Sequence, residues 1–153
     1  MGCLGAVSKE NCIIAEFDID EENTNKEVLI MESTEHILRE IPKEDLYPDE
    51  EKQMEQYKDE KEISQCSIRV NDALIPFCYK YKFQAPGTYK IKYTFPKALA
   101  QTSFMFSRCS RLKKIDLSNF DTTNLTKERG MLSDCTNLES LKFFDLQLKR
   151  LRT

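Results

Sequence analysis

Apolar and polar positions alternate with a period of two over much of residues 11–95. In Cys12–Ile19, Ala15, Phe17 and Ile19 alternate with Glu16 and Asp18, which predicts a half-buried strand. Glu27–Met31 is a short apolar run that reads as a second, buried strand, and the polar Asp20–Asn25 segment between them predicts a solvated hairpin turn. Ser67–Val70 is a further strand, ended by an Asn71-Asp72 turn. From Leu74 to Phe83 the aromatics Phe77, Tyr79, Tyr81 and Phe83 share one face. After Ala85-Pro86-Gly87 the alternation resumes at Tyr89, Ile91, Tyr93 and Phe95. That pattern predicts a hairpin with an aromatic core face and a solvated face of Lys80, Lys82, Lys90 and Lys92. Residues 33–62 break the rhythm. They contain Pro42 and Pro48, are heavily charged, and show little apolar period before Met54, Tyr57 and Ile63. The expectation there is a long charged loop with a weak helix near 49–60.

The C-terminal third changes period. Met105, Cys109, Leu112, Ile115, Leu117, Phe120 and Leu125 return as Met131, Cys135, Leu138, Leu141, Phe143, Leu146 and Leu151, each 26 residues later without a gap. A repeat of this length carrying L-x-x-L-x-L is the pattern of a solenoid built from short parallel strands. Leu112, Ile115 and Leu117 would fill a core from one strand, and Leu138, Leu141 and Phe143 from the next. Lys114, Asp116, Ser140 and Lys142 would then stand on the exposed sheet. Phe104-Met105-Phe106 would form a short helical turn on the opposite side. Cys109 and Cys135 would stack one repeat apart as small buried apolar side chains. Repeats of this kind bury their apolar faces only against neighbours. One end must therefore be covered by the upstream strands. The other, which includes Leu148 and Leu151 among basic residues, would either cap itself or receive a partner.

The run from Phe104 through Cys109-Ser110-Arg111-Leu112, Ile115-Asp116-Leu117-Ser118-Asn119-Phe120-Asp121-Thr122 to Thr126 resembles the BspA-like, mycoplasma-lipoprotein type of leucine-rich repeat. The unit from Met131 keeps Cys135-Thr136-Asn137-Leu138 and departs after Leu141, as a degenerate last repeat. The resemblance covers residues 102–153. It implies a leucine-rich repeat fold, a role in adhesion or protein interaction on microbial or protist surfaces, and no enzymatic residues.

Charge is divided along the chain. Residues 15–62 carry 18 Asp/Glu against 6 Lys/Arg, whereas residues 63–153 carry 7 against 16. The basic residues are scattered, and on 80–92 they alternate with aromatics that point the other way, so an acidic segment lying across a basic body is expected rather than a nucleic-acid surface. Gly2 and Cys3 begin a Met-Gly-Cys-Leu-Gly-Ala stretch similar to the acylated start of G-protein alpha subunits. This implies myristoylation at Gly2 and palmitoylation at Cys3, and thus a cytosolic membrane face. The alternative is an accidental Gly-Cys, and the repeat family itself points instead to the cell surface. No apolar run approaches the roughly 18 residues of a membrane span, and no secretory core follows the N-terminus. The six cysteines show no C-x-x-C pair, so free thiols are expected, with Cys66–Cys78 as the pair to form in an oxidising setting. Asp18, Asp20 and Glu22 alternate as in a calcium loop, but Leu29 stands where its last carboxylate belongs. His36 is the single histidine and is expected on the surface. No nucleophile with a base, metal spacing or phosphate loop is present.

The sequence therefore predicts an α+β, mostly β fold. Residues 1–10 would be a flexible, acylatable N-terminus, 11–96 a small antiparallel β domain with its charged loop at 33–62, and 97–153 about two leucine-rich repeats of an incomplete solenoid. The expected role is a non-enzymatic protein-binding or scaffold protein that uses neither cofactor nor small-molecule substrate. Its contacts would be Lys114, Asp116, Ser140, Lys142, Leu148 and Leu151. The alternatives are a structural subunit of a larger assembly or a truncated member of a repeat surface-protein family.

Overall fold

Burial alternates strand by strand, and the fold follows from where those alternations are matched. In the computed structural model, which describes residues 10–143, a six-stranded sheet has the order β4-β3-β6-β1-β7-β8. Its strands are β1 (Cys12–Ile19), β3 (Ser67–Val70), β4 (Ala73–Ile75), β6 (Gly87–Thr94), β7 (Leu112–Asp116) and β8 (Ser140–Lys142). A separate two-stranded sheet pairs β2 (Glu27–Leu29) with β5 (Lys80–Lys82). The protein is thus mixed α/β, more strand than helix, with an antiparallel-rich sheet.

β1 lies at the centre because it can pair on both edges. It runs antiparallel to β6 from Cys12↔Thr94 to Ile19↔Gly87, and antiparallel to β7 from Ile14↔Asp116 to Phe17↔Leu112, with a bulge after Glu16. Ile13, Ala15, Phe17 and Ile19 face inward and are fully or nearly fully buried, together with Ile68, Ile91, Tyr93 and Ile115. The Tyr93 hydroxyl is satisfied inside this core by donating to the Ile30 carbonyl at 2.6 Å, as a buried phenol must be. The expected turn at Asn71-Asp72 joins β3 and β4 into a hairpin. Asn71 and Asp72 both take positive φ (45° and 71°), which two-residue turns of the mirror-image type require.

Two expected hairpins do not form. Ala85-Pro86-Gly87 does not fold the Leu74–Phe83 stretch back on β6, because β6 is paired on both sides by β1 and β3. β5 pairs with β2 instead, in the register Glu27↔Lys82 to Leu29↔Lys80. The chain from Asp20 to Asn25 consequently connects two sheets rather than adjacent strands.

The expected charged loop at 33–62 is also corrected: it is mostly helical. α1 (Thr34–Glu40), α2 (Pro48–Met54) and α3 (Glu60–Ile63) are joined by single 3-10 turns at Lys43–Asp45 and Glu55–Tyr57. Ser33 caps α1, its hydroxyl accepting from the His36 N–H at 3.0 Å. Pro48 is not a breaker but the first residue of α2, where its fixed φ suits the helix and no N–H is missed. Few residues of this segment are buried, Thr34, Ile37, Asp59 and Ile63 among them, which explains why no apolar period shows.

Residues 100–143 repeat in backbone as well as in side chain. β7 and β8 pair in parallel, Lys114↔Ser140, Ile115↔Leu141 and Asp116↔Lys142. Across the layer, the N–H groups of Thr102, Phe104, Phe106 and Arg108 donate to the carbonyls of Lys127, Arg129, Met131 and Ser133 at 2.8–2.9 Å. The left-handed residues recur in step: Phe104 (60°) with Gly130 (61°), and Arg108 (62°) with Asp134 (57°). The Phe104–Phe106 stretch is accordingly a chain of tight turns rather than the expected helical turn. β7 joins the sheet of β1, so the boundary expected at 96/97 does not separate two sheets. No helix among the described residues is long and apolar enough to cross a membrane.

Candidate functional site

Lys114, Asp116, Ser140 and Lys142 come together on the outer face of the sheet. Parallel pairing sets Lys114 beside Ser140 and Asp116 beside Lys142. Antiparallel pairing through β1 extends this patch to residues far away in sequence. One row runs Leu74, Arg69, Lys92, Ile14, Asp116, Lys142 across all six strands, and a second runs Lys90, Glu16, Lys114, Ser140. The two rows border a depression of about 280 Å3 above Ile14 and Glu16. Sequence reasoning missed Leu74, Arg69, Lys92, Ile14, Glu16 and Lys90 as members, because only the long-range register brings them here.

The face carries both signs. Lys114 Nζ lies 3.6 Å from Glu16 Oε2, Lys113 Nζ 3.6 Å from Asp18 Oδ2, and Arg111 Nη1 3.7 Å from Asp20 Oδ2. Lys92 is in an ion pair with Glu10, which draws the Glu10 carboxyl below its ordinary range through a hydrogen bond and charge attraction. Partial burial pushes Asp116 up, but hydrogen bonds from Ser118 and the Lys142 cation outweigh it and hold the carboxyl low.

The remaining predicted site residues, Gly2, Cys3, Leu148 and Leu151, lie outside the described residues. At the β8 end, Leu138, Leu141, Phe143 and Cys135 are only partly buried, whereas their counterparts Leu112, Ile115, Leu117 and Cys109 are buried.

His36 is not the free surface residue expected. Its Nδ1 is 2.5 Å from Oε1 of Glu32, its Nε2 3.2 Å from Glu40, and its ring stacks on Tyr79 with centroids 4.2 Å apart. Glu32 is 1% exposed. It accepts from the Ser33 N–H, lies 3.7 Å from Arg108, and donates its own N–H to the Met105 carbonyl. Glu32, His36 and Glu40, four residues apart along the chain, were the available signal. Both ring nitrogens are taken by carboxylates, and Ser33 Oγ is held by the Tyr79 hydroxyl at 2.9 Å. The cluster thus fastens α1 to β5 and to the turns at 104–109, and sets no nucleophile against a base.

Cys12, Cys66, Cys78, Cys109 and Cys135 are free thiols. Burial pushes Cys66 up to about 12 and Cys135 up to about 11, so neither supplies a thiolate at neutral pH. The Cys135 thiol donates to the Phe106 carbonyl at 3.0 Å. Among the described residues no group of three His, Cys, Asp or Glu is placed to hold a metal ion. No family model, curated protein or solved structure matches this chain.

Proposed function

We propose that this protein is a non-enzymatic binding or scaffold protein whose outer sheet face receives a protein partner, and that residues 102–153 are a short leucine-rich repeat solenoid covered at its first end by β1. The observation that carries this reading is the parallel β7–β8 register, which lines up Lys114, Asp116, Ser140 and Lys142 on one open face. The recurrence of left-handed residues at the repeat spacing supports the solenoid. Such repeats offer an extended sheet for contact rather than a pocket for chemistry. Acylation at Gly2 and Cys3 would set that surface at a cytosolic membrane face, since two chains hold a protein there stably.

A photo-crosslinking residue at Ser140, compared with one at Lys61 on α3, tests the reading in native cell extract. Crosslinks to a partner protein from position 140 and not from 61 are expected. Equal yields from both positions would remove the sheet face as the contact surface. Intact mass of the native protein, with membrane fractionation, tests the anchor separately: a myristoyl group and membrane retention are expected, and an unmodified, soluble protein would eliminate it.

The partly buried Leu138, Leu141 and Phe143 favour a second reading, a structural subunit that stacks another element on the β8 end. A concentration-independent monomer by sedimentation would weaken it.

A further inference from the structure

The outer sheet face has a surplus of positive charge. Four of its cations are matched by carboxylates, as the pairs Lys92–Glu10, Lys114–Glu16, Lys113–Asp18 and Arg111–Asp20. Arg69, Lys90 and Lys142 have no ion pair among the described residues, and Arg69 donates only to the Asp72 carbonyl at 3.1 Å. Against these three cations stands Asp116, which lies beside Lys142 in the strand register and is drawn low by its charge and by Ser118, but makes no close ion pair. Two apolar side chains are set among them: Ile14 at the centre, and Leu74, which is 61% exposed, at the β4 edge.

We propose, resting on the binding role above, that this face takes an acidic polypeptide segment laid in extended form across the strands. The row from Leu74 to Lys142 crosses five interstrand steps of about 4.8 Å, or roughly 24 Å, the reach of about seven extended residues. Acidic side chains of the segment meet Arg69, Lys90 and Lys142, and apolar ones rest on Leu74 and Ile14. A single-stranded nucleic acid does not suit the face. Its bases need aromatic side chains to stack on, and Phe17, Tyr89 and Tyr93 all stand on the inward side of their strands. Glu16 and Asp116 in the middle of the rows would also repel a run of phosphates. A segment of mixed acidic and apolar residues avoids both conflicts. Because the contacts are exposed ion pairs, binding should weaken steeply with salt.

The test uses the full chain and a fluorescein-labelled peptide of repeated Glu-Glu-Leu, read by anisotropy at low and at physiological salt. The expected result is saturable binding that falls at least tenfold in Lys90→Glu/Lys142→Glu and is unchanged in Lys61→Glu. A Lys-Lys-Leu peptide, an oligothymidylate and phosphatidylserine vesicles serve as competitors and should not displace the acidic peptide. Equal binding by the double variant, displacement by the oligonucleotide or vesicles, or self-association of the protein abolished by the same two substitutions would each overturn the proposal. Crosslinks from position 140 to a partner whose contact segment is basic would sink this inference alone. Absence of any contact on the face would sink the binding role with it.

Discussion

Replacing Asp59 by Asn should stabilise the protein, and by an amount that grows with pH. Asp59 stands before α3, and the residue in that position usually turns its carboxylate toward the first helical N–H groups. Here Glu35 does that work from α1, accepting from the N–H groups of Asp59 and Glu60 at 3.0 Å each. The Asp59 side chain is left inside, 6% exposed, with no hydrogen-bond partner for either oxygen. Burial, reinforced by the charges of Glu35 and Glu62, pushes its carboxyl from 3.8 up to about 8. The native state then holds a proton that the unfolded chain gives up. Between these two pH values, stability falls as pH rises, by about 1.4 kcal/mol per pH unit.

At pH 7 that slope amounts to a loss of up to about 4 kcal/mol from this one residue relative to its value below pH 4. Asn has nearly the same shape, does not ionise, and buries an unbonded polar group just as the protonated acid does. The two proteins should therefore match near pH 4, and Asp59→Asn should lead by about 2–4 kcal/mol at pH 7, levelling off above pH 8. Urea unfolding of both proteins at half-unit steps from pH 4 to 9 measures this difference directly, since every other titrating group cancels to first order. Parallel pH profiles would refute the reasoning: they would mean that Asp59 ionises in the native state as easily as in the unfolded one.

Gly130→Ala should cost about 2 kcal/mol or more in urea, because a Cβ there meets the Phe104 ring at 2.6 Å and φ is +61°; an unchanged midpoint would count against the tight stacking of the two turns. Leu112→Ala should destabilise by about 2–5 kcal/mol, while its repeat counterpart Leu138→Ala should cost less than half as much, since the first is fully buried and the second only partly. In native protein at pH 8, peptide mapping after brief iodoacetamide treatment should find Cys66 and Cys109 unlabelled, because burial raises both thiols, and Cys78 labelled ahead of them; early modification of Cys109 would show that the interior between the repeats opens readily.

How far the sequence could be read depended on how far each residue's partner lies along the chain. Alternation at Ala15, Phe17 and Ile19 and at Ile91, Tyr93 and Phe95 predicted the core face, and Asn71-Asp72 predicted the turn after β3, because each signal is local. What alternation does not contain is which strand lies alongside. Phe83 and Tyr89 pointed to a hairpin, yet β6 satisfies its full length against β1, 68 to 82 residues earlier, and leaves β5 to pair with β2. The helices of 33–62 were obscured for a different reason: with so few inward side chains they have almost no apolar stripe, and the Ser33 cap of α1 and Pro48 at the start of α2 are the strong local marks.

The candidate face combines both cases. A 26-residue period and a strand period of two together set Lys114 beside Ser140 and Asp116 beside Lys142, so four residues of the face could be named from the sequence. The other half, from Leu74 to Ile14, depends on β1 accepting β7 at Ile14↔Asp116, about 100 residues apart. A chain whose last third begins a parallel stack needs a strand to start it, and β1 supplies one whose other edge is already committed to β6. That junction converts two short repeats, too few to bury their own faces, into the end of a six-stranded sheet. It also makes the outer surface continuous from Leu74 to Lys142, so any partner that reads the repeat strands also meets Arg69, Lys92 and Ile14.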